Sequence, residues 1–201
     1  MNNNPADKWH FSGDEEMNTT IHATAVSDKS TDQGELISGS FEGVTRLTST
    51  DHGFKATSDL WRADKDLLIL VTGTDEYDGM RKIVAVATNT IDIVAAFVAE
   101  TPGGTETLRA GFKFADPVEF LGFKLHLNAA SATAENLVCQ ADAAMGAAWD
   151  TKFYSKDMNG VQDIVNIFSE PIPIAANDEV YFTWANTNDT LWGLEISTRR
   201  I

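Results

Sequence analysis

Histidine, cysteine and closely spaced carboxylates are the residue types in this chain whose chemistry could be catalytic or metal-binding. The histidines are His10, His22, His52 and His126, and none pairs with another at metal-ligand spacing. His52 precedes Gly53 at an expected turn, where a capping role explains it. His126 sits among apolar residues in an expected strand, either pointing outward or satisfied in the core. The single cysteine, Cys139, falls in an apolar alternation and reads as a small core residue rather than a nucleophile. Asp64-Lys65-Asp66 and Asp75-Glu76-Tyr77-Asp78 carry enough oxygens for calcium but lack the spacing of an EF-hand, so turn chemistry explains both. No G-x-S-x-G or phosphate-binding loop occurs. Trp149, Trp184 and Trp192 are the residues on which a sugar could stack, but their strand positions favour the core.

Composition narrows the classes further. The chain has 201 residues, 15 Lys plus Arg against 30 Asp plus Glu, and a net charge of −15. The excess of acid runs through every quarter of the sequence. An evenly acidic surface repels phosphate backbones, so nucleic acid is not an expected partner. One cysteine excludes an internal disulfide framework. The N-terminus lacks the basic-then-apolar pattern of a signal peptide, and no run approaches the ~20 apolar residues of a membrane helix. No membrane partner and no cofactor are expected.

The elements that would position these residues read as strands. Residues 1–40 are polar and poor in large aliphatics, the composition of an extended arm; Trp9 and Phe11 stand out in it. These two either insert into a neighbouring subunit or fold back on their own domain. Ile21, Ala23 and Ala25 permit one strand. Residues 44–50, 67–71 and 83–86 read as short strands, with a turn at Asp78-Gly79. Pro102-Gly103-Gly104 marks a boundary. Beyond it, Leu121, Phe123, Leu125 and Leu127 alternate with Gly122, Lys124 and His126, as in a half-buried strand. Trp149, Thr151 and Phe153 mark a further strand and residues 161–168 another, with a hairpin turn expected at Asn159-Gly160. Val180, Phe182 and Trp184, then Trp192, Leu194 and Ile196, predict a hairpin with those side chains inward and Thr183 and Glu195 outward. Residues 129–148 are alanine-rich and suit a helix by propensity, yet Leu137, Cys139 and Ala141 alternate as in a strand.

Two stretches resemble known patterns. Thr48, Ser49, His52, Gly53, Val71, Gly73, Thr74, Tyr77, Asp78, Gly79, Val84, Val86, Thr90, Ile93, Phe97 and Val98 match a small β module common in bacteriophage structural proteins. The chain departs from that module in a longer loop after Phe54, which carries Trp61 and Arg62. Residues 125–130, 135–137, 146–148, 184–186 and 192–196, with Asp142, Asp150, Pro171, Pro173, Asp178, Val180 and Phe182, resemble a second phage-encoded β-sandwich pattern, in which the alanine-rich segment is a strand.

These resemblances imply an all-β virion protein. The expected organisation is an extended N-terminal arm (1–40), a small phage-type β module (41–104) and an antiparallel β-sandwich of jelly-roll type (105–201). The implied role is non-enzymatic: a capsid decoration or cement protein bound to the outer capsid surface. The alternative is a tail or tail-fibre component contacting host glycans. Expected partners are the major capsid protein or tail proteins and further copies of the chain, as a trimer, in a virion assembled in the host cytoplasm. Trp9, Phe11, Trp61 and Arg62 are the expected assembly contacts.

Overall fold

The computed structural model describes residues 6–14, 17–20, 25–28, 43–49, 52–54, 67–101, 103 and 105–201. Their strands, in chain order, are β1 (Asp7–Gly13), β2 (Asn18–Thr20), β3 (Ala25–Asp28), β4 (Val44–Thr48), β5 (Leu68–Thr72), β6 (Gly79–Ala87), β7 (Thr90–Val94), β8 (Thr107–Arg109) and β9 (Gly111–Lys113). Then follow β10 (Val118–Leu127), β11 (Asn136–Asp142), β12 (Thr151–Asp157), β13 (Asp163–Ile174), β14 (Glu179–Thr183) and β15 (Trp192–Arg200). A single 3-10 turn, Ala147–Trp149, is the one helical element among the described residues. The all-β expectation holds.

Three antiparallel sheets result. One runs β1-β15-β10-β13, a second β12-β11-β14-β9, and the third β2-β8-β5-β6-β7-β4-β3. The first two pack face to face. Phe123 on β10 meets Phe182 on β14 with ring centroids 4.8 Å apart, edge to face. Phe120 meets Phe112 across the same gap at 5.4 Å. Counted along the chain as first to eighth, the sandwich strands run first-eighth-third-sixth in one sheet and fifth-fourth-seventh-second in the other. The seven strands β2 to β8 all lie between the first and second sandwich strands in sequence. The small module is therefore an insertion into the sandwich.

This sheet membership corrects the expected organisation in two places. Residues 7–13 are not an extended arm: β1 pairs with β15 residue for residue, from Asp7 opposite Thr198 to Gly13 opposite Trp192. The polar composition concealed an alternation, with Trp9 and Phe11 on one face and His10 and Ser12 on the other. Phe11 is fully buried. The boundary also moves from residues 102–104 to Ala110, because β8 completes the inserted sheet and β9 belongs to the sandwich.

Two expected hairpins are absent. β14 pairs with β11 and β9, whereas β15 pairs with β1 and β10. The turn at residues 186–189 therefore crosses between facing sheets. The Asn159-Gly160 turn does the same, carrying the chain from β12 to β13. Alternation shows which face of a strand is buried, not which strand lies beside it. Gly79 and Gly160 do have positive φ, 107° and 72°. Gly79 opens β6 in a true hairpin with β5.

In β10 the expected inward set needs one change. The register shifts between Phe120 and Gly122, so Phe120 rather than Leu121 shares the core with Phe123, Leu125 and Leu127. Gly122 permits this bulge: its φ is 144°, and a Cβ there would sit 2.2 Å from the Asn166 carbonyl oxygen. The alanine-rich segment contributes β11, with Leu137, Cys139 and Ala141 inward, as the alternation predicts.

Candidate functional site

The four expected assembly contacts have separate fates. Phe11 is in the core and presents nothing to a partner. Trp9 is half-buried; its Nε1 donates to Thr198 Oγ1 at 2.9 Å, and its ring lies 5.3 Å from that of Phe114. Trp9 and Phe11 thus fold back onto their own domain. Trp61 and Arg62 lie outside the described residues, as do His22, Asp64 and Asp66.

The densest polar cluster lies on the face of β1, β15 and β10 that points away from the sandwich core. Glu195 stands opposite His10 on one side and Lys124 on the other. Lys8 and Lys124 each place Nζ 3.0 Å from Oε1, and His10 Nε2 lies 3.3 Å from Oε2. Glu195 is 7% exposed and His10 5%. This corrects the expectation of an outward, solvated Glu195. It does point away from the core, but strands far away in sequence surround it with cations. Burial pushes its carboxyl up; the hydrogen bonds from Lys124 and Lys8, reinforced by their charges, overcome this and hold it down at about 2.

Other polar clusters are also tied into the framework. Arg46 on β4 grips Asp92 on β7 with a two-pronged contact, Nε to Oδ1 at 2.6 Å and Nη2 to Oδ2 at 2.7 Å. Arg109 donates to Glu179 and lies 4.2 Å from the centre of the Tyr181 ring. Burial raises the Glu179 carboxyl and Arg109 offsets part of that rise. His52 holds the turn it was expected to hold: Nε2 is 2.8 Å from the Ala87 carbonyl oxygen and Nδ1 accepts from the Phe54 amide at 3.2 Å. His126 points outward to Asp163, 2.7 Å away. Cys139 is buried, and burial pushes its thiol far up, the opposite of an activated nucleophile.

The Asp75-Glu76-Tyr77-Asp78 segment is a turn. Asp78 Oδ1 accepts from the Thr74 amide at 2.8 Å, and Tyr77 is buried with its hydroxyl donating to Val98 O at 2.6 Å. A polar cavity of about 190 Å³ beside it is lined by Asp75, Glu100 and Glu106 with Gly73, Thr101, Gly103 and Thr105. Burial raises the Glu100 carboxyl; the Glu76 amide lowers it and the Asp75 charge raises it again. Glu106 accepts from the Gly103 amide. Among the described residues, no group of three His, Cys, Asp or Glu could hold a metal ion.

Of the three tryptophans on which a sugar could stack, Trp184 and Trp192 are core residues at 2% and 0% exposure. Trp149 is 63% exposed and stands on the 3-10 turn rather than in a strand. Exposed apolar side chains gather on the edge strand β13, where Val165 and Ile167 face outward. Sequence reasoning missed the Glu195 cluster, since its members are scattered from residue 8 to residue 195. It also missed a cleft beside Trp9, whose other lining residues include Asp7, Phe114, Asp116, Thr198 and Arg200. The chain matches no family model, no curated protein and no solved structure.

Proposed function

We propose that this chain is a non-enzymatic structural protein of a phage virion that docks on the outer capsid surface as a decoration protein. The virion assignment rests on the two sequence resemblances. The observation that carries the structural role is the strand order of the sandwich. We read first-eighth-third-sixth facing fifth-fourth-seventh-second as a jelly roll, an architecture used by viral capsid and lectin domains. Fold alone does not assign function, so the polar groups matter as well. The clusters around Glu195, Asp92 and Glu179 each neutralise a buried carboxylate with a neighbouring cation. That is the use of charge expected in a rigid building block.

In this reading the chain forms a trimer and binds the major capsid protein. Val165 and Ile167 on the open edge of the sandwich are the apolar contacts it offers. A tail position, with host glycan as ligand, is the second reading; the cleft beside Trp9 favours it. Quantitative mass spectrometry of purified virions tests both. Hundreds of copies per particle fit the capsid surface. A dozen or fewer fit the tail. Absence from the particle overturns the virion reading.

A further inference from the structure

We propose that the cleft at the start of β1 is a binding site for a single pyranose ring. It encloses about 90 Å³ and is lined by Asp7, Trp9, Phe114, Asp116, Thr198 and Arg200. Three parts of the fold converge there: the start of β1, the end of β15, and the connection between β9 and β10. Trp9 and Phe114 put two aromatic rings into its wall, 5.3 Å apart and tilted at 45° to each other. The Trp9–Thr198 hydrogen bond fixes the indole, so little order would be lost on binding.

The rim selects the ligand class. Two carboxylates, Asp7 and Asp116, accept hydrogen bonds, and the Arg200 guanidinium donates them. Such a mixed rim disfavours an anion, which meets two aspartates, and a cation, which meets an arginine. A neutral polyol satisfies both, because every hydroxyl donates and accepts. A pyranose also has an apolar C–H face to lay against an aromatic ring. The cleft is shallow and open to solvent, so it receives one face or edge of one ring, with the rest of any glycan outside. Affinity for a lone sugar is then weak and would gain from several copies on one assembly. The inference does not depend on the virion reading.

Titration of the full chain with methyl glucoside, galactoside, mannoside and N-acetylglucosaminide, followed by indole NH signals in two-dimensional NMR, tests the site. The Trp9 signal is assigned by its loss in Trp9→Phe. We expect it to move saturably with at least one glycoside, and Asp116→Ala to weaken that binding about tenfold or more. Asp116 is exposed, so this variant keeps the fold even if Trp9 variants do not. A Trp9 signal unmoved by every glycoside overturns the proposal. So does movement confined to Trp149, saturation by butylammonium or inorganic phosphate with no response to glycosides, or an Asp116→Ala protein that binds as the parent does.

Discussion

In the sandwich, aromatic rings from facing sheets meet: Phe123 with Phe182 and with Tyr154, and Phe120 with Phe112. The inserted sheet buries aliphatic side chains instead, among them Leu47, Ile69, Val71, Ile91 and Ile93. The burial patterns also differ. Sandwich strand β10 is buried on alternate residues on either side of its bulge, because only its inner face is covered. In β5, consecutive residues Ile69, Leu70 and Val71 are all fully buried, and in β7 Ile91, Asp92 and Ile93 are. β5 and β7 are thus covered on both faces, whereas β6 between them is half-buried, and the buried side chains of the inserted sheet and the sandwich form one continuous cluster. The inserted strands touch the sandwich at β1, β9 and β14, and the backbone joins them too, with Ala110 N donating to Met17 O and Met17 N to Trp184 O. Two regions that differ in side-chain chemistry thus share one core.

The largest expected effect tests that sharing. Trp184→Ala should cost roughly 3–5 kcal/mol and Ile91→Ala roughly 2–5 kcal/mol, each by leaving a cavity. If the core is common, both variants lower one cooperative thermal transition. Were Ile91→Ala to split the melt in two, with the later step at the parent's temperature, the regions would be independent domains and the comparison would have to be redrawn.

Next in size is the acid response of the sandwich. The Glu195 carboxyl is held at about 2 against an ordinary 4.5. Its folded value is depressed, so its contribution is complete above the unfolded value and is lost as pH falls from 4.5 toward 2. That contribution is on the order of 2–3 kcal/mol. The raised carboxyls of Glu100 and Glu179 act in the opposite sense, easing as they protonate, and temper the total. Glu195→Gln should therefore flatten the fall in denaturant midpoint between about pH 5 and about pH 2. A variant with the parent's full acid slope would remove Glu195 from this role. At neutral pH, Glu195→Ala should cost about 1–3 kcal/mol, since His10 stays buried without its partner. The Lys8 and Lys124 side chains, 50% and 39% exposed, can regain water, which keeps the loss below that of a fully buried pair.

How much of this was legible in the sequence follows the range of the interaction. Alternation placed Phe182, Trp184, Leu194 and Ile196 inward, and all four are buried. Dipeptide chemistry placed turns at Gly79 and Gly160, and both have positive φ. Both signals are local. Partner choice is not: Glu195 pairs with His10 and Lys124, and nothing near residue 195 announces either. The same gap turned two sheet-to-sheet crossings into expected hairpins. It also hid the insertion, because the strand that opens the sandwich lies about a hundred residues ahead of the next one. The Trp9 cleft was illegible for the same reason, since its walls come from both ends of the chain and from residues 114–116 between them.

The smallest predicted effect lies at the turn that opens β6 of the inserted sheet. Gly79 has φ 107° at the start of β6, and no atom lies within 4 Å of where a Cβ would stand. The geometry leaves only the backbone conformation to resist substitution. The cost should then be about 1 kcal/mol or slightly more. It should also be nearly the same for Gly79→Ala and Gly79→Leu, because both carry the Cβ that disfavours positive φ and neither is branched at that atom. A clash would make leucine clearly worse than alanine. Denaturant midpoints of the two variants decide between the causes. If the shared core is real, both midpoints shift without a change in slope, since a local turn cost on one edge is then felt by the whole cooperative unit.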